Sequence, residues 1–125
     1  MTNTRQRFPD AIAKALDATK YLHLRAGDEH PFIWIWVVVA DGRVFVRPWN
    51  DKASGWYREM LKTKRGAIVV DNKELLVRAV KARGAKVIGS VDDGYAKKYT
   101  TKANQRYVKG FATAKRKATT LELVP

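Results

Sequence analysis

The chain has 125 residues, 46% of them hydrophobic, no cysteine, and 25 Lys+Arg against 12 Asp+Glu, a net charge of +13. That length fits one domain, 1–125, with enough apolar material for a core, and the lack of cysteine excludes a disulfide framework, a thiolate metal site and a cysteine nucleophile. The positive excess points to an anionic partner: nucleic acid, acidic lipid or a phosphorylated cofactor.

The opening residues MTNTRQRFPD hold no apolar run of the signal-peptide kind. The most apolar stretch, Phe32 to Ala40, is far shorter than the roughly 20 residues a membrane helix needs. A soluble, cytoplasmic protein with no membrane partner is expected. Within an N-terminal helical segment (1–20), Asp10 to Ala18 reads as a short helix, with Ile12 and Leu16 on one face. Tyr21 to Arg25 alternates as a short strand, and Gly27-Asp28 breaks it. Phe32 to Val39 (FIWIWVVV) is apolar on both faces and reads as one central strand covered on both sides. Asp41-Gly42 signals a hairpin turn into a return strand, Arg43 to Trp49. Asn50 to Gly55 is a polar loop. Trp56 to Thr63 is a two-turn helix with Trp56, Met60 and Leu61 inward. Gly66 to Val70 and Glu74 to Ala82 form a hairpin about Asp71-Asn72. Lys86 to Ile88 extends a sheet or links. Residues 92–117 form a helical segment, broken near Thr100-Thr101, and Ala118 to Val124 is a closing strand. Short strands joined by tight turns favour a closed or nearly closed antiparallel barrel, with the last strand sealing an edge.

Charge is uneven. Residues 1–51 carry 7 basic and 6 acidic side chains, residues 52–125 carry 18 and 6, and the run from Tyr95 to Lys117 has eight cations and no acid. Such a run is either a solvated helix face or an anion-binding one. The segment from Arg47 to Arg58 packs basic, hydroxyl and aromatic residues together. A loop entering a helix presents unpaired N–H groups to an anion. Ser54 is a phosphate ligand or a helix N-cap. Trp49 and Trp56 sandwich a flat ring or belong to the core. Arg47, on a strand beside Phe45 and Trp49, needs an anion or a carboxylate partner. Lys64 and Arg65, in the basic turn 62–66, reach the same anion or are solvated. The row Tyr95, Tyr99, Ala103, Tyr107, Phe111 is spaced by four, the pattern by which a helix docks on a barrel, or stacks bases. The two histidines form no zinc pattern, and no nucleophile elbow, Walker loop or dinucleotide fingerprint is present.

The run FIWIWVVVADGRVFVRPW, then SGWYREMLKTKRGAIVV, LLVRAV and the closing KATTLELVP resembles a bacterial domain family of unknown function grouped with the flavin-binding split barrels of the pyridoxamine-5′-phosphate oxidase type. The Gly55-Trp56-Tyr57-Arg58 segment is also similar to the deazaflavin-dependent nitroreductases. The resemblance spans Tyr21 to Pro125. It implies a mainly β, α+β fold: an antiparallel split β-barrel with flanking helices, commonly a homodimer. It also implies a groove for flavin mononucleotide (FMN) or a deazaflavin, with oxidoreductase chemistry by hydride transfer. Carried over, the cofactor-binding positions are Arg47, Trp49, Lys52, Ser54 and Trp56, with Lys64 or Arg65 beside them. Asn50-Asp51-Lys52 departs from the oxidase members by setting an acid beside the phosphate positions. Two other readings stand: a basic barrel binding nucleic acid through its second half, and a cofactor-free barrel binding a small apolar or anionic metabolite.

Overall fold

The computed structural model describes residues 7–49 and 55–125. The expected Lys52 and Ser54 therefore lie outside the described residues. Helix α1 spans Asp10–Ala18, followed by strands β1 (Tyr21–Ala26), β2 (Ile33–Trp36), β3 (Val38–Ala40) and β4 (Arg43–Val46). Helix α2 (Trp56–Thr63) leads to β5 (Arg65–Val70) and β6 (Lys73–Lys81). Helix α3 (Ala85–Lys98), a 3-10 turn (Lys102–Asn104), α4 (Gln105–Phe111) and the short α5 (Ala114–Lys117) precede β7 (Leu121–Val124). All seven strands form one sheet in the order β2-β1-β5-β6-β7-β4-β3, with every pairing antiparallel. The result is a nearly closed antiparallel barrel with flanking helices, an α+β fold.

The two edge strands of that order, β2 and β3, are consecutive in the chain and separated by Val37 alone. The expected single central strand over 32–39 is thus two edge strands that meet at a seam. Val37 is fully buried, so its backbone groups need partners. Its N–H donates to the Tyr99 hydroxyl at 3.0 Å, and its carbonyl accepts from Lys98 Nζ at 2.9 Å. Two α3-end side chains therefore close the seam where no strand pairs.

Register sorts the side chains. Tyr21, His23, Trp34 and Trp36 share the outer face of β1–β2, whereas Leu22, Leu24, Ile33 and Ile35 point inward. The interior joins Leu22, Leu24, Val44, Val46, Ile68, Val77, Leu121 and Leu123, with Leu16 of α1 and Tyr57 and Met60 of α2 plugging it. A hydrophobic helix stripe and the alternating strands thus meet in one aliphatic core. Strands β1 and β5 approach closely: a Cβ on Gly66 would stand 2.3 Å from the Arg25 carbonyl oxygen.

A second cluster lies outside the barrel. Val91, Tyr95 and Tyr99 of α3 and its end, with Val108 and Phe111 of α4, pack on Val38 and Phe45 of β3 and β4. The spacing-by-four row therefore docks a helical layer on the barrel, with the chain turning after Tyr99. Lys86 to Ile88 belongs to α3 and extends no strand. Val87 and Ile88 have strand-like side chains, but both pack against this outer cluster, and tertiary contact overrides propensity.

Candidate functional site

All four tryptophans of the chain, Trp34, Trp36, Trp49 and Trp56, line one cavity of about 460 Å³ between the barrel's outer face and α4. Tyr21, Tyr107 and Phe111 add further rings, and Arg47 and Asn104 supply polar atoms. Strand alternation places Trp34 and Trp36 on the outer face. The turn from α3 into α4 brings Tyr107 and Phe111 over it. Trp36 stacks on Tyr99 with centroids 3.8 Å apart and planes 3° from parallel. Tyr99 is itself fixed: its hydroxyl donates to the Lys20 carbonyl at 2.6 Å while accepting from Val37. Trp36 is thereby a rigid indole wall.

Trp49 is held from the other side. The Arg116 guanidinium lies 3.7 Å from the centroid of its ring, and Arg116 Nε donates to the Trp49 carbonyl at 2.8 Å. Tyr107 and Phe111 meet Trp49 edge-on at 5.0 and 5.3 Å. Gly110 is required here, because a Cβ would stand 2.5 Å from the indole. Trp56 opens α2, with Gly55 at its N-cap position.

Arg47 lines the cavity, yet its donors turn into the protein. Nε donates to Thr120 Oγ1 at 2.7 Å, Nη1 to Asp92 Oδ1 at 2.6 Å and to the Phe111 carbonyl at 2.9 Å, and Nη2 to the Ile88 carbonyl at 3.3 Å. Lys117 shares Asp92 at 3.2 Å. Of the two partners the sequence allows for Arg47, an anion or a carboxylate, the structure supplies the carboxylate. The guanidinium joins β4 to α3, α4 and the approach to β7. The Tyr95 ring lies 5.6 Å from it, and the Tyr95 hydroxyl is buried without a hydrogen-bond partner among the described residues. Burial pushes that phenol up, against the lowering pull of Arg47.

Arg47, Trp49 and Trp56 are therefore brought together at the cavity. Lys64 and Arg65 are not among its walls. Lys64 is the exposed left-handed C-cap of α2, its N–H bonded to the Met60 carbonyl at 2.8 Å. Arg65 pairs with Asp28 on the surface, and this partner holds the Asp28 carboxyl below its usual range. Tyr21, Trp34 and Trp36 are wall residues that sequence reasoning did not single out as site residues, whereas Tyr107 and Phe111 come from the spacing-by-four row. The alternation of Trp34 and Trp36 carries the signal, but it does not say what faces them. Among the described residues no group of three His, Asp or Glu side chains is placed to hold a metal, and no helix is long and apolar enough to cross a membrane.

A nearly closed antiparallel barrel with an aromatic cavity on its outer wall defines the class: a split-barrel-like domain. The chain belongs to the family described as "Uncharacterized protein conserved in bacteria (DUF2255)", whose family-wide pattern it matches over residues 11–123. No curated protein matches its sequence. Among solved structures it is similar to the conserved hypothetical protein Rv2991 from Mycobacterium tuberculosis. The TM-score is 0.54 at 15% identity, over 96% of this chain and 83% of that one. At that identity the likeness concerns the fold.

Proposed function

We propose that the chain binds a planar, phosphate-bearing cofactor of flavin type, FMN or a deazaflavin, in the aromatic cavity, and that its family stands with the flavin-binding split barrels. The observation that carries this reading is the convergence of all four tryptophans on one cavity. Scattered tryptophans fill cores. Four around one opening of about 460 Å³ build flat apolar walls, and the volume lies within the usual range of small-molecule sites. A flavin bound there supplies hydride transfer, which would make the protein an oxidoreductase. The chain's own part is to hold the ring against Trp36 and Trp49 and to keep water from its faces. No acid–base pair is required of the protein for that role.

The reading includes a homodimer. Tyr21, Trp34 and Leu76 on the outer side of β1, β2 and β6 are 44, 65 and 74% exposed. An exposed apolar face of this kind favours a partner surface, and sedimentation checks the mass.

The test of the cofactor is a fluorescence titration with FMN and with a reduced deazaflavin. Saturable tryptophan quenching at micromolar ligand is expected from one of them, weakened in Trp36→Leu. Absence of quenching by both overturns the proposal.

A further inference from the structure

The aromatic cavity has a polar neighbour. A recess of about 310 Å³ is lined by Asp17, Lys20, Lys98, Tyr99, Thr100 and Asn104, with Ala18 and Thr101 completing it. Three features join the two spaces. Asn104 lines both. Tyr99, a wall of the recess, stacks on Trp36, a wall of the cavity. Lys20, also of the recess, holds Nζ 5.3 Å from the ring centroid of Tyr21, which lines the cavity.

The recess is rich in donors. An ammonium has three N–H groups. Lys98 gives two of them to the Leu16 and Val37 carbonyls, both at 2.9 Å, which leaves one for the recess. Lys20 has no ion pair among the described residues, and the hydroxyls of Thr100 and Thr101 and the Asn104 amide add neutral donors. Asp17 is the one carboxylate in the lining, so the formal charges sum to +1. Arg47, by contrast, spends its N–H groups on Thr120, Asp92 and two carbonyls.

We propose that this recess is the anion subsite of the aromatic cavity, receiving the phosphate of a ligand whose ring lies against Trp36 and Trp49. The inference rests on the ring-binding reading above and assigns the anion to Lys20 and Lys98 in place of Arg47, Lys64 or Arg65. A phosphate monoester carries between one and two negative charges near pH 7 and accepts several hydrogen bonds. It matches two ammonium groups with neutral donors between them, and bonds to charged groups are the strong ones. Lys98 gains most, because burial disfavours its charge and an adjacent anion restores it.

FMN and riboflavin share one ring system and differ by the phosphate, so the pair isolates the subsite. Quenching titrations are made with both compounds on the natural chain, on Lys20→Gln and on Lys98→Gln. FMN is expected to bind about tenfold or more tighter than riboflavin. Lys20→Gln should lose several-fold of FMN affinity and Lys98→Gln more, with riboflavin affinity unchanged in Lys20→Gln. Lys20 is exposed, so its variant keeps the test open if Lys98→Gln does not fold. Equal binding of the two compounds overturns the subsite and leaves the ring site standing. So does a preference for FMN that survives both substitutions. Binding of neither compound overturns the subsite for FMN, and it removes the ring site as well only when the reduced deazaflavin also fails to quench.

Discussion

The two sides of the barrel wall are built differently. Inside, the contacts are aliphatic: Leu22, Leu24, Val44, Val46, Ile68, Leu121 and Leu123 fill the space and carry no polar atom in their side chains. Outside, under α3 and α4, rings stack on rings, and buried or half-buried polar groups hold them: Arg47 on Asp92, Tyr99 on Val37, Lys98 on Leu16 and Val37. Burial inside is non-directional, so it fixes closure and register without fixing any one side chain's orientation. Directional bonds outside fix angles. The cavity lies on the second side, where the orientation of Trp36 and Trp49 is set by bonds and stacking and not by volume alone. Ligand sites need that kind of rigidity.

The largest effect should come from the centre of the outer layer. Arg47→Ala leaves Asp92, Thr120 and two carbonyls without their shared donor. Breaking a buried charge pair costs about 3–5 kcal/mol, and because Asp92 is part-exposed and keeps Lys117 the loss here should fall toward the lower end of that range. The matching double variant, Arg47→Met with Asp92→Leu, should recover part of that loss, because a buried pair replaced by apolar groups of similar size is often neutral. Urea midpoints of the three chains measure the coupling. A loss of under 1 kcal/mol in Arg47→Ala would return Arg47 to the role of a free anion ligand. The inner side should answer differently. Leu24→Ala, at a fully buried position, should cost about 2–5 kcal/mol through lost burial and the cavity left behind, with no partner whose removal restores it.

Much of the fold was legible. Pro9-Asp10 and the Ile12–Leu16 spacing located α1, the Asp41-Gly42 and Asp71-Asn72 turns located two hairpins, and Trp56–Thr63 located α2. Both turns do take left-handed backbone, with Asp41, Gly42, Asp71 and Asn72 at φ between 51° and 71°. The seam at Val37 was not legible, because a valine among valines carries no local mark. It is imposed by Tyr99, 62 residues away in the chain. Arg47's need for a partner could be read from its place beside Phe45 and Trp49, but not that the partner is Asp92, 45 residues further along the chain. For the cavity, Trp49 and Trp56 were marked by their crowding with charge. Trp36 was not, and Tyr107 was marked only through its spacing-by-four row, since which outer face α4 covers depends on the turn after Tyr99.

The smallest effect separates the two sides by pH. Burial lowers the Lys98 ammonium from 10.5 to about 8, against the raising pull of Asp17. A cation that gives up its proton more readily in the folded chain weakens the fold while it is charged. Between pH 8 and the unfolded value the unfolded chain binds more protons, so stability rises with pH. The neutral amine still has two N–H groups, which suffice for the Leu16 and Val37 carbonyls, so relief of the buried charge need not break the seam. Tyr95 and Tyr99 act in the opposite sense: burial holds both phenols above their ordinary 10.0, and their contribution is lost as pH climbs past that value. The Lys98 window is therefore about pH 8 to 10. Urea midpoints taken across it should rise for the natural chain relative to Lys98→Met, whose curve lacks that component while keeping the fall above pH 10. Parallel curves would mean that Lys98 carries the same charge cost folded and unfolded, and that the outer layer holds its lysine as loosely as solvent does.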